Sequence, residues 1–196
     1  AFGLRLGRRL NPFTHGAVGL LAHSSPNLRT ALEAICLYVP TRMSLIHLEL
    51  VQQEETLTCL FRFESELTAT IRRCVVDALA TIFFEFAEFV VGRPVHETQV
   101  QLPYPEPVES ALYATQLPGS LVFGSAQFSL SLPIVVAEIP NASANRQSYE
   151  LALRQCQSML EQLASNRKSW ALKVQKLMLS QPLGVLTETE AAAALF

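Results

Sequence analysis

The stretch that decides the fold is residues 65–91, SELTATIRRCVVDALATIFFEFAEFVV, which contains no glycine or proline until Gly92 ends it. Its apolar residues recur at helical spacing, and this predicts one long helix. The predicted apolar stripe consists of Leu67, Ile71, Cys74, Ala78, Ile82, Phe86 and Phe89, widened by Val75, Leu79, Phe83 and Val90. Only a thin polar edge remains, and it consists of Arg73, Asp77, Glu85 and Glu88. A helix with so wide an apolar face is expected at the centre of a core. Arg73 and Asp77, four residues apart, are expected to pair weakly on the exposed edge.

Two alternating stretches precede this helix and predict a β-hairpin. Residues 45–50 place apolar side chains at every second position, and residues 57–63 repeat the alternation. The apolar faces consist of Ile46, Leu48 and Leu50 in the first stretch and Leu57, Cys59, Phe61 and Phe63 in the second. The polar residues 52–55, QQEE, are predicted to form a four-residue loop between the strands.

Shorter elements surround this central unit. We predict a strand at 97–102, a short helix at 108–117, and strands at 121–123 and 127–132. Ser25 and Pro26 are predicted to begin a helix that ends near Pro40, whereas residues 1–25 mix glycine with apolar residues and are expected to be loop-rich. This order is typical of an α+β domain with a mainly antiparallel sheet packed on a long core helix.

Composition and charge exclude several classes of protein. With 196 residues, of which 49% are hydrophobic and 16% charged, the chain is suited to a packed core and is not a disordered sequence. A net charge of −2 supplies no overall positive field for non-specific nucleic-acid binding. The cysteines Cys36, Cys59, Cys74 and Cys156 form no C-x-x-C pair, which favours buried thiols in a reducing compartment.

The longest uncharged stretch is residues 110–137, and it is long enough to cross a bilayer. It contains Pro118, Gly124 and Pro133, which indicate turns and strands instead of a membrane helix. We therefore expect a soluble, cytoplasmic protein with no membrane partner. Because the first residue is Ala1, we expect the sequence to begin inside a longer chain.

The sequence contains no pattern that predicts catalysis or metal binding. The histidines His15, His23, His47 and His96 do not have the spacing of zinc ligands, and no nucleophile elbow or phosphate-binding glycine loop is present. We therefore predict that the protein is not an enzyme and holds no metal or cofactor. An enzyme acting on a small apolar substrate is a third hypothesis, but it lacks a nucleophile and base pair.

Aromatic residues are the candidates for a binding site. Phenylalanines of the hairpin, the long helix and the last strands must pack together, and they could either fill a core or line an apolar pocket. Tyr104 and Phe123, beside proline and glycine breaks at strand ends, are the aromatic residues expected at the mouth of a cavity. The candidate binding residues are Phe83, Phe86, Tyr104 and Phe123.

Several segments, taken in order, resemble a known family. They are GLRLGRRLNP…HGAVGLLAHSSPNLRTALEAI, VVGRP at the end of the long helix, PYPEP, and LPGSLVFGSAQFSLSLPIVVAEIP. Residues 2–161 resemble the arabinose-binding type of ligand-binding domain found in AraC/XylS-type bacterial transcriptional regulators. The resemblance implies a domain at 1–142 that binds a small-molecule effector, and a linker or dimerisation helix at 143–166. In this superfamily such helices often pair subunits, and the positions we would test here are Leu153, Leu160 and Leu163.

Residues 167–196 look like the beginning of the family's helix-turn-helix DNA-binding domain. SWALKVQKLMLSQPLGVLTETEAAAAL resembles a first helix, a proline-containing turn and the start of a positioning helix, which opens with capping-box spacing at Thr187 and Glu190. The recognition helix is absent from this chain, so no base-contacting residue can be named and DNA is expected as a partner of the full-length protein only. The alternative hypothesis is a stand-alone sensor of a small molecule or of haem-bound gas. No histidine falls on a predicted helix, and this is the sequence feature against haem.

Overall fold

The computed structural model describes residues 2–10, 12–167, 177 and 187–195. The chain divides into two compact units, residues 1–156 and residues 157–196. The first unit contains α1 (Phe2–Arg9), α2 (Gly16–His23), α3 (Leu28–Tyr38), β1 (Ile46–Gln53), β2 (Thr56–Phe63), α4 (Ala69–Val91), β3 (Gln99–Leu102), α5 (Ser110–Gln116), β4 (Ser120–Phe123), β5 (Phe128–Pro133) and α6 (Ile134–Ala137). Helix α7 (Arg146–Arg167) begins in the first unit and ends in the second, which also contains α8 (Glu188–Leu195).

The strands form one sheet in the order β1-β2-β5-β3-β4. Three of the four pairings are antiparallel, and only β3 and β4 run parallel. The predicted α+β fold with a mainly antiparallel sheet is therefore confirmed. The parallel pairing has a local consequence: it places the carboxyl ends of β3 and β4, at Leu102 and Phe123, side by side.

The predicted hairpin is present, but its loop is shorter than expected. Strands β1 and β2 pair from Ile46 opposite Phe63 to Gln53 opposite Thr56. The loop consists of Glu54 and Glu55, and Glu54 adopts a positive φ of 50°. The prediction of a four-residue loop was wrong because polar residues 52 and 53 continue the ladder, where backbone hydrogen bonds outweigh side-chain polarity.

Helix α4 packs in the core, as predicted, but its buried face only partly coincides with the predicted stripe. It begins at Ala69, since the Thr68 hydroxyl caps it by accepting a hydrogen bond from the Ile71 backbone N–H at 3.5 Å. Two residues of the predicted stripe, Ile71 and Phe89, are 51% and 41% exposed. The buried residues of α4 are Val76, Asp77, Ala78, Ala80, Thr81, Phe83, Phe84, Phe86, Ala87, Val90 and Val91.

The opening segment is helical, so the prediction of a loop-rich lead-in was wrong. Helices α1 and α2 occupy most of residues 2–23, and α1 packs against α4. This contact is possible because Gly3 and Gly7, which suggested a loop in the sequence, have no Cβ atom where the helices meet. A Cβ atom on Gly3 would come within 2.6 Å of the Asp77 Cβ, and one on Gly7 within 2.6 Å of the Thr81 Cβ. Helix α4 is therefore covered by α1 on one side and contributes other side chains to the hydrophobic core.

The second unit is described only in part. Thr187 and Glu190 form the predicted capping box: the Thr187 backbone N–H donates to Glu190 Oε2 at 2.9 Å, and the Glu190 N–H donates to the Thr187 hydroxyl at 3.4 Å. The first helix and the turn predicted at residues 168–186 lie outside the described residues, apart from Leu177. None of the described helices combines the length and the apolar composition that a bilayer span requires.

The close approach of α1 and α4 makes a testable prediction. Gly7→Ala would favour the isolated helix α1 by about 0.5–1 kcal/mol, because alanine restricts the unfolded chain more than glycine does. In the folded protein the new methyl group would meet the Ala78 carbonyl oxygen at 2.6 Å. Overpacking of this kind costs about 1–3 kcal/mol, so after the helical gain is subtracted we expect a net loss of about 0.5–2 kcal/mol in the free energy of unfolding, measured by urea denaturation.

Arg5→Ala is the matched control, since Arg5 lies on the exposed side of the same helix. Its effect should stay within about 0.5 kcal/mol. A Gly7→Ala protein as stable as the Arg5→Ala protein would contradict the packing of α1 on α4.

Candidate functional site

The site is centred on Asp77, which is the only aspartate in the chain. The sequence predicted Asp77 on the exposed edge of the long helix, but the structure buries it to 2% exposure. The prediction was wrong because α1 covers this side of α4, with Gly3 directly against Asp77. A buried carboxylate is costly unless its oxygens accept hydrogen bonds, so its partners decide whether the arrangement is stable.

Two tyrosines from separate segments supply those partners. The Tyr104 hydroxyl donates to Asp77 Oδ1 at 2.5 Å, and the Tyr113 hydroxyl donates to Asp77 Oδ2 at 2.9 Å. Tyr104 follows β3, whereas Tyr113 is a buried residue of α5. One carboxylate therefore joins the core helix to two segments that are otherwise distant along the chain.

Arg73 completes this network one helical turn before Asp77. Its Nε and Nη2 atoms donate to the Tyr113 hydroxyl oxygen at 3.2 and 3.1 Å. Its guanidinium also lies 5.5 Å from the centre of the Tyr104 ring and 5.9 Å from that of Tyr113, which allows cation–π attraction. The predicted pairing of Arg73 with Asp77 is thus relayed through a tyrosine hydroxyl.

Burial is the main cause of the pKa shifts of the carboxyl and hydroxyl groups in this network. Burial raises the pKa of Asp77, while the hydrogen bonds from Tyr104 and Tyr113 and the charge of Arg73 act in the opposite direction. Burial, together with the neighbouring Asp77, also raises the pKa of Tyr104 far above its usual range. Burial likewise raises the pKa of Tyr113. Both hydroxyls therefore keep their protons at neutral pH and act as hydrogen-bond donors.

The structure brings two of the four predicted binding residues together. Phe123 ends β4, and its ring centre lies 6.1 Å from that of Tyr104 and 5.7 Å from that of Tyr113. The parallel pairing of β3 and β4 is responsible, because it brings both strand ends to one edge. We call Arg73, Asp77, Tyr104, Tyr113 and Phe123 the Asp77 cluster.

The other two predicted residues lie elsewhere on α4. Phe83 packs edge-on against Phe84, with ring centres 5.8 Å apart. Phe86 is buried with its ring centre 6.0 Å from that of His23. Sequence reasoning missed Arg73, Asp77 and Tyr113 as members of a site. The available signal was a lone aspartate between Val76 and Ala78, in the otherwise apolar stretch 74–80 of the helix.

His23 corrects one sequence argument. No histidine was expected on a helix, yet His23 is the last residue of α2 and is buried against Phe89, with ring centres 3.8 Å apart. Burial lowers the pKa of His23. In the described part of the chain, no three His, Cys, Asp or Glu side chains cluster in a way that could hold a metal ion.

The residues predicted to mediate dimerisation lie on α7. Leu153, Leu160 and Leu163 are all half-buried, whereas Ala152 and Cys156 of the same helix are fully buried. Cys59 is also buried, Cys36 and Cys74 are half-buried, and all four thiols are free.

The raised pKa of Asp77 predicts a pH dependence of stability. A carboxyl whose pKa is raised by folding stabilises the folded state fully below its ordinary pKa of 3.8, and this contribution is lost as the pH rises through the raised value. Asp77→Asn removes the titration and keeps the shape. We expect the free energy of unfolding of the wild type, minus that of Asp77→Asn, to fall as the pH rises from below 3.8 through the raised pKa of Asp77.

Urea denaturation across that pH range provides the measurement. Glu88→Gln is the control, because Glu88 is an exposed carboxyl of the same helix, and its profile should run parallel to that of the wild type. If the free energy of unfolding had the same pH dependence in Asp77→Asn and in the wild type, Asp77 would not be held in the environment described.

Known proteins identify the family. Residues 1–141 match the model of the arabinose-binding domain of AraC transcription regulators, N-terminal. Over 193 residues, or 98% of this chain and 56% of the relative, the sequence is 30% identical to the ornithine utilization regulator of Pseudomonas aeruginosa. The solved structure of the transcriptional regulator CdpR from Pseudomonas aeruginosa superposes with a TM-score of 0.63 at 20% identity, covering 77% of this chain and 49% of that one, and it supports the fold alone. The chain spans about half the length of these relatives. The resemblance seen in the sequence is confirmed, and the chain belongs to the AraC family of transcription regulators through its N-terminal arabinose-binding domain.

Proposed function

We propose that this ligand-sensing regulatory domain binds a small-molecule effector beside the Asp77 cluster and so controls DNA binding by the full-length regulator. One observation carries the proposal: a single buried carboxylate ties together α4, the segment after β3, and α5. Arg73, Tyr104 and Phe123 remain partly exposed around it. A ligand at these partly exposed side chains would therefore contact groups that hydrogen bonds link to the core helix.

The regulatory step is a shift between two conformations. A ligand that contacts Tyr104 or Phe123 in one arrangement of these segments, and not in another, favours the first arrangement by its difference in affinity. A tenfold change in output requires a differential free energy of about 1.4 kcal/mol. Loss or gain of one good hydrogen bond is of that size.

Dimerisation through α7 is part of the proposal. Leu153 and Leu160 are seven residues apart and Leu163 follows three residues later, which is the spacing at which helices pair. A second copy of the chain docking there would bring two DNA-binding domains onto neighbouring half-sites. Such a regulator would act in the cytoplasm, where its DNA is accessible.

The identity of the effector is open to a direct screen. The chain is similar to a protein named as an ornithine utilization regulator, so amino acids, with ornithine among them, are the first class to test. Sugars and fatty acids complete the panel. None of these ligands requires a metal or a further cofactor.

The effector proposal predicts a thermal shift that depends on Phe123. A ligand present at 100 times its dissociation constant adds about 2.7 kcal/mol to the free energy of unfolding, which raises the melting temperature measurably. Phe123→Ala removes a partly exposed ring of the cluster, so the same ligand should stabilise this variant less. Val122→Ala is the matched control, because Val122 is an exposed neighbour on the same strand and its substitution should leave the shift unchanged. Equal shifts in both variants would place the ligand elsewhere.

The DNA-binding proposal predicts different behaviour for the full-length regulator and this chain. The full-length protein should bind a promoter fragment with an affinity that falls steeply as salt rises, because phosphate contacts release counterions. The family resemblance assigns to residues 167–196 only a first helix, a turn and the start of a positioning helix, so we expect no specific binding by this chain in a gel-shift assay. Specific binding by the 196 residues alone would contradict the assignment of residues 167–196.

A further inference from the structure

Arg73 uses one edge of its guanidinium within the cluster and leaves another edge without a direct partner. Nε and Nη2 donate to the Tyr113 hydroxyl. Among the described residues, Nη1 has no hydrogen-bond acceptor, and the Arg73 side chain is 36% exposed. The edge formed by Nη1 and Nη2 is therefore the part of the guanidinium left for a ligand, and its two parallel N–H groups match the geometry of a carboxylate.

Glu109 lies at this edge without closing it. Its Oε2 atom is 4.0 Å from Arg73 Nη2, which is too far for a hydrogen bond, and the Glu109 side chain is 65% exposed. Exposed pairs at such distances contribute little, because both groups are well hydrated. A carboxylate that makes two direct hydrogen bonds to the same edge would compete effectively with Glu109.

The cluster holds the guanidinium in place before any ligand binds. The Tyr113 hydroxyl anchors it from one side, and the rings of Tyr104 and Tyr113 lie within 5.5 and 5.9 Å of it. A cation fixed in this way loses little side-chain freedom on binding, which favours affinity.

The arrangement favours an anionic ligand over a cationic one. Asp77 is not available to a cation, because it is buried and its two oxygens already accept hydrogen bonds from Tyr104 and Tyr113. A cation at Glu109 would lie close to the like charge of Arg73, which is 4.0 Å from that carboxylate. The partly exposed charge of the cluster is the positive charge of Arg73. Phe123, beside both tyrosines, offers an apolar surface for the body of a ligand whose carboxylate reaches Arg73.

We propose that Arg73 binds the carboxylate of the effector, a small monocarboxylate with an apolar body, and that Glu109 occupies this position loosely in the free protein and is displaced. This inference rests on the proposed function and names the ligand class for the same site. Arg73 is the binding residue, and Glu109 is a competing group within the chain.

The test uses hexanoate as the probe, with hexanamide and hexylamine as its neutral and cationic counterparts, on the whole chain at constant ionic strength. We expect hexanoate to bind, as measured by calorimetry and by a shift of the Arg73 side-chain Nε–H resonance in NMR spectra, whereas its two counterparts do not. Arg73→Lys keeps the positive charge but loses the planar pair of N–H donors. It should raise the dissociation constant of hexanoate about tenfold or more.

Glu109→Gln provides a second variant at an exposed position, where folding is not at risk. Removing the competing carboxylate should strengthen hexanoate binding several-fold. Glu97→Gln is the control, because Glu97 is also an exposed carboxylate next to an arginine, 2.7 Å from Arg93, but lies outside the cluster, and its substitution should leave hexanoate binding unchanged.

Three results would overturn the inference: no binding of hexanoate, binding that Glu109→Gln leaves unchanged or weakens, or preferential binding of hexylamine. The proposed function fails separately. An effector whose thermal shift depends on Phe123 but not on Arg73 would uphold the sensing site and reject the carboxylate assignment. A panel in which no ligand depends on Phe123 would reject the site itself.

Discussion

The structure depends on one buried carboxylate and on the requirement that its oxygens accept hydrogen bonds. Asp77 lies within the core on the longest helix of the first unit, where an unpaired carboxyl would cost several kcal/mol. The hydroxyls of Tyr104 and Tyr113 meet this requirement, and each belongs to a different segment. The polar network therefore specifies how the segment after β3 and helix α5 dock on α4, which non-directional apolar packing would leave less defined.

The close contact between α1 and α4 at Asp77 also explains why so much of α4 is buried. Residues such as Phe83 and Val90 belong to the hydrophobic core, while α1 covers the side of α4 that carries Asp77. Gly3 and Gly7 make this possible because a helix without Cβ atoms at the contact can approach another backbone closely. Burial by α1 raises the pKa of Asp77 and leaves Arg73, one turn away, as the partly exposed charge. Packing and electrostatics thus have a common origin in the contact between α1 and α4.

The Asp77 cluster lies where the parallel pair of strands in the five-stranded sheet, β3 and β4, ends. Because β3 and β4 run in the same direction, Tyr104 and Phe123 meet at one edge of the sheet, next to Tyr113 and Arg73. An aromatic surface beside an anchored guanidinium is suited to a small ligand with one charged group. In an AraC-family regulatory domain, a ligand at this place would contact segments that the buried carboxylate connects to the core.

The sequence by itself determined the α+β class, the hairpin, the long helix and the family, because these follow from apolar periodicity, turn residues and the order of segments, which are local properties of the chain. It also predicted Tyr104 and Phe123 as binding residues from their positions at strand ends, and that role stays a prediction. Only the tertiary structure decided that α1 is a helix, that α4 buries Asp77, and that Arg73, Asp77 and Tyr113 lie in one cluster with those two aromatic residues. The reason is that helical periodicity reports which residues are apolar, whereas a second helix packed through glycines can bury a polar residue as well. Contacts between residues 36 positions apart, such as that of Asp77 with Tyr113, leave no periodic signal in the sequence.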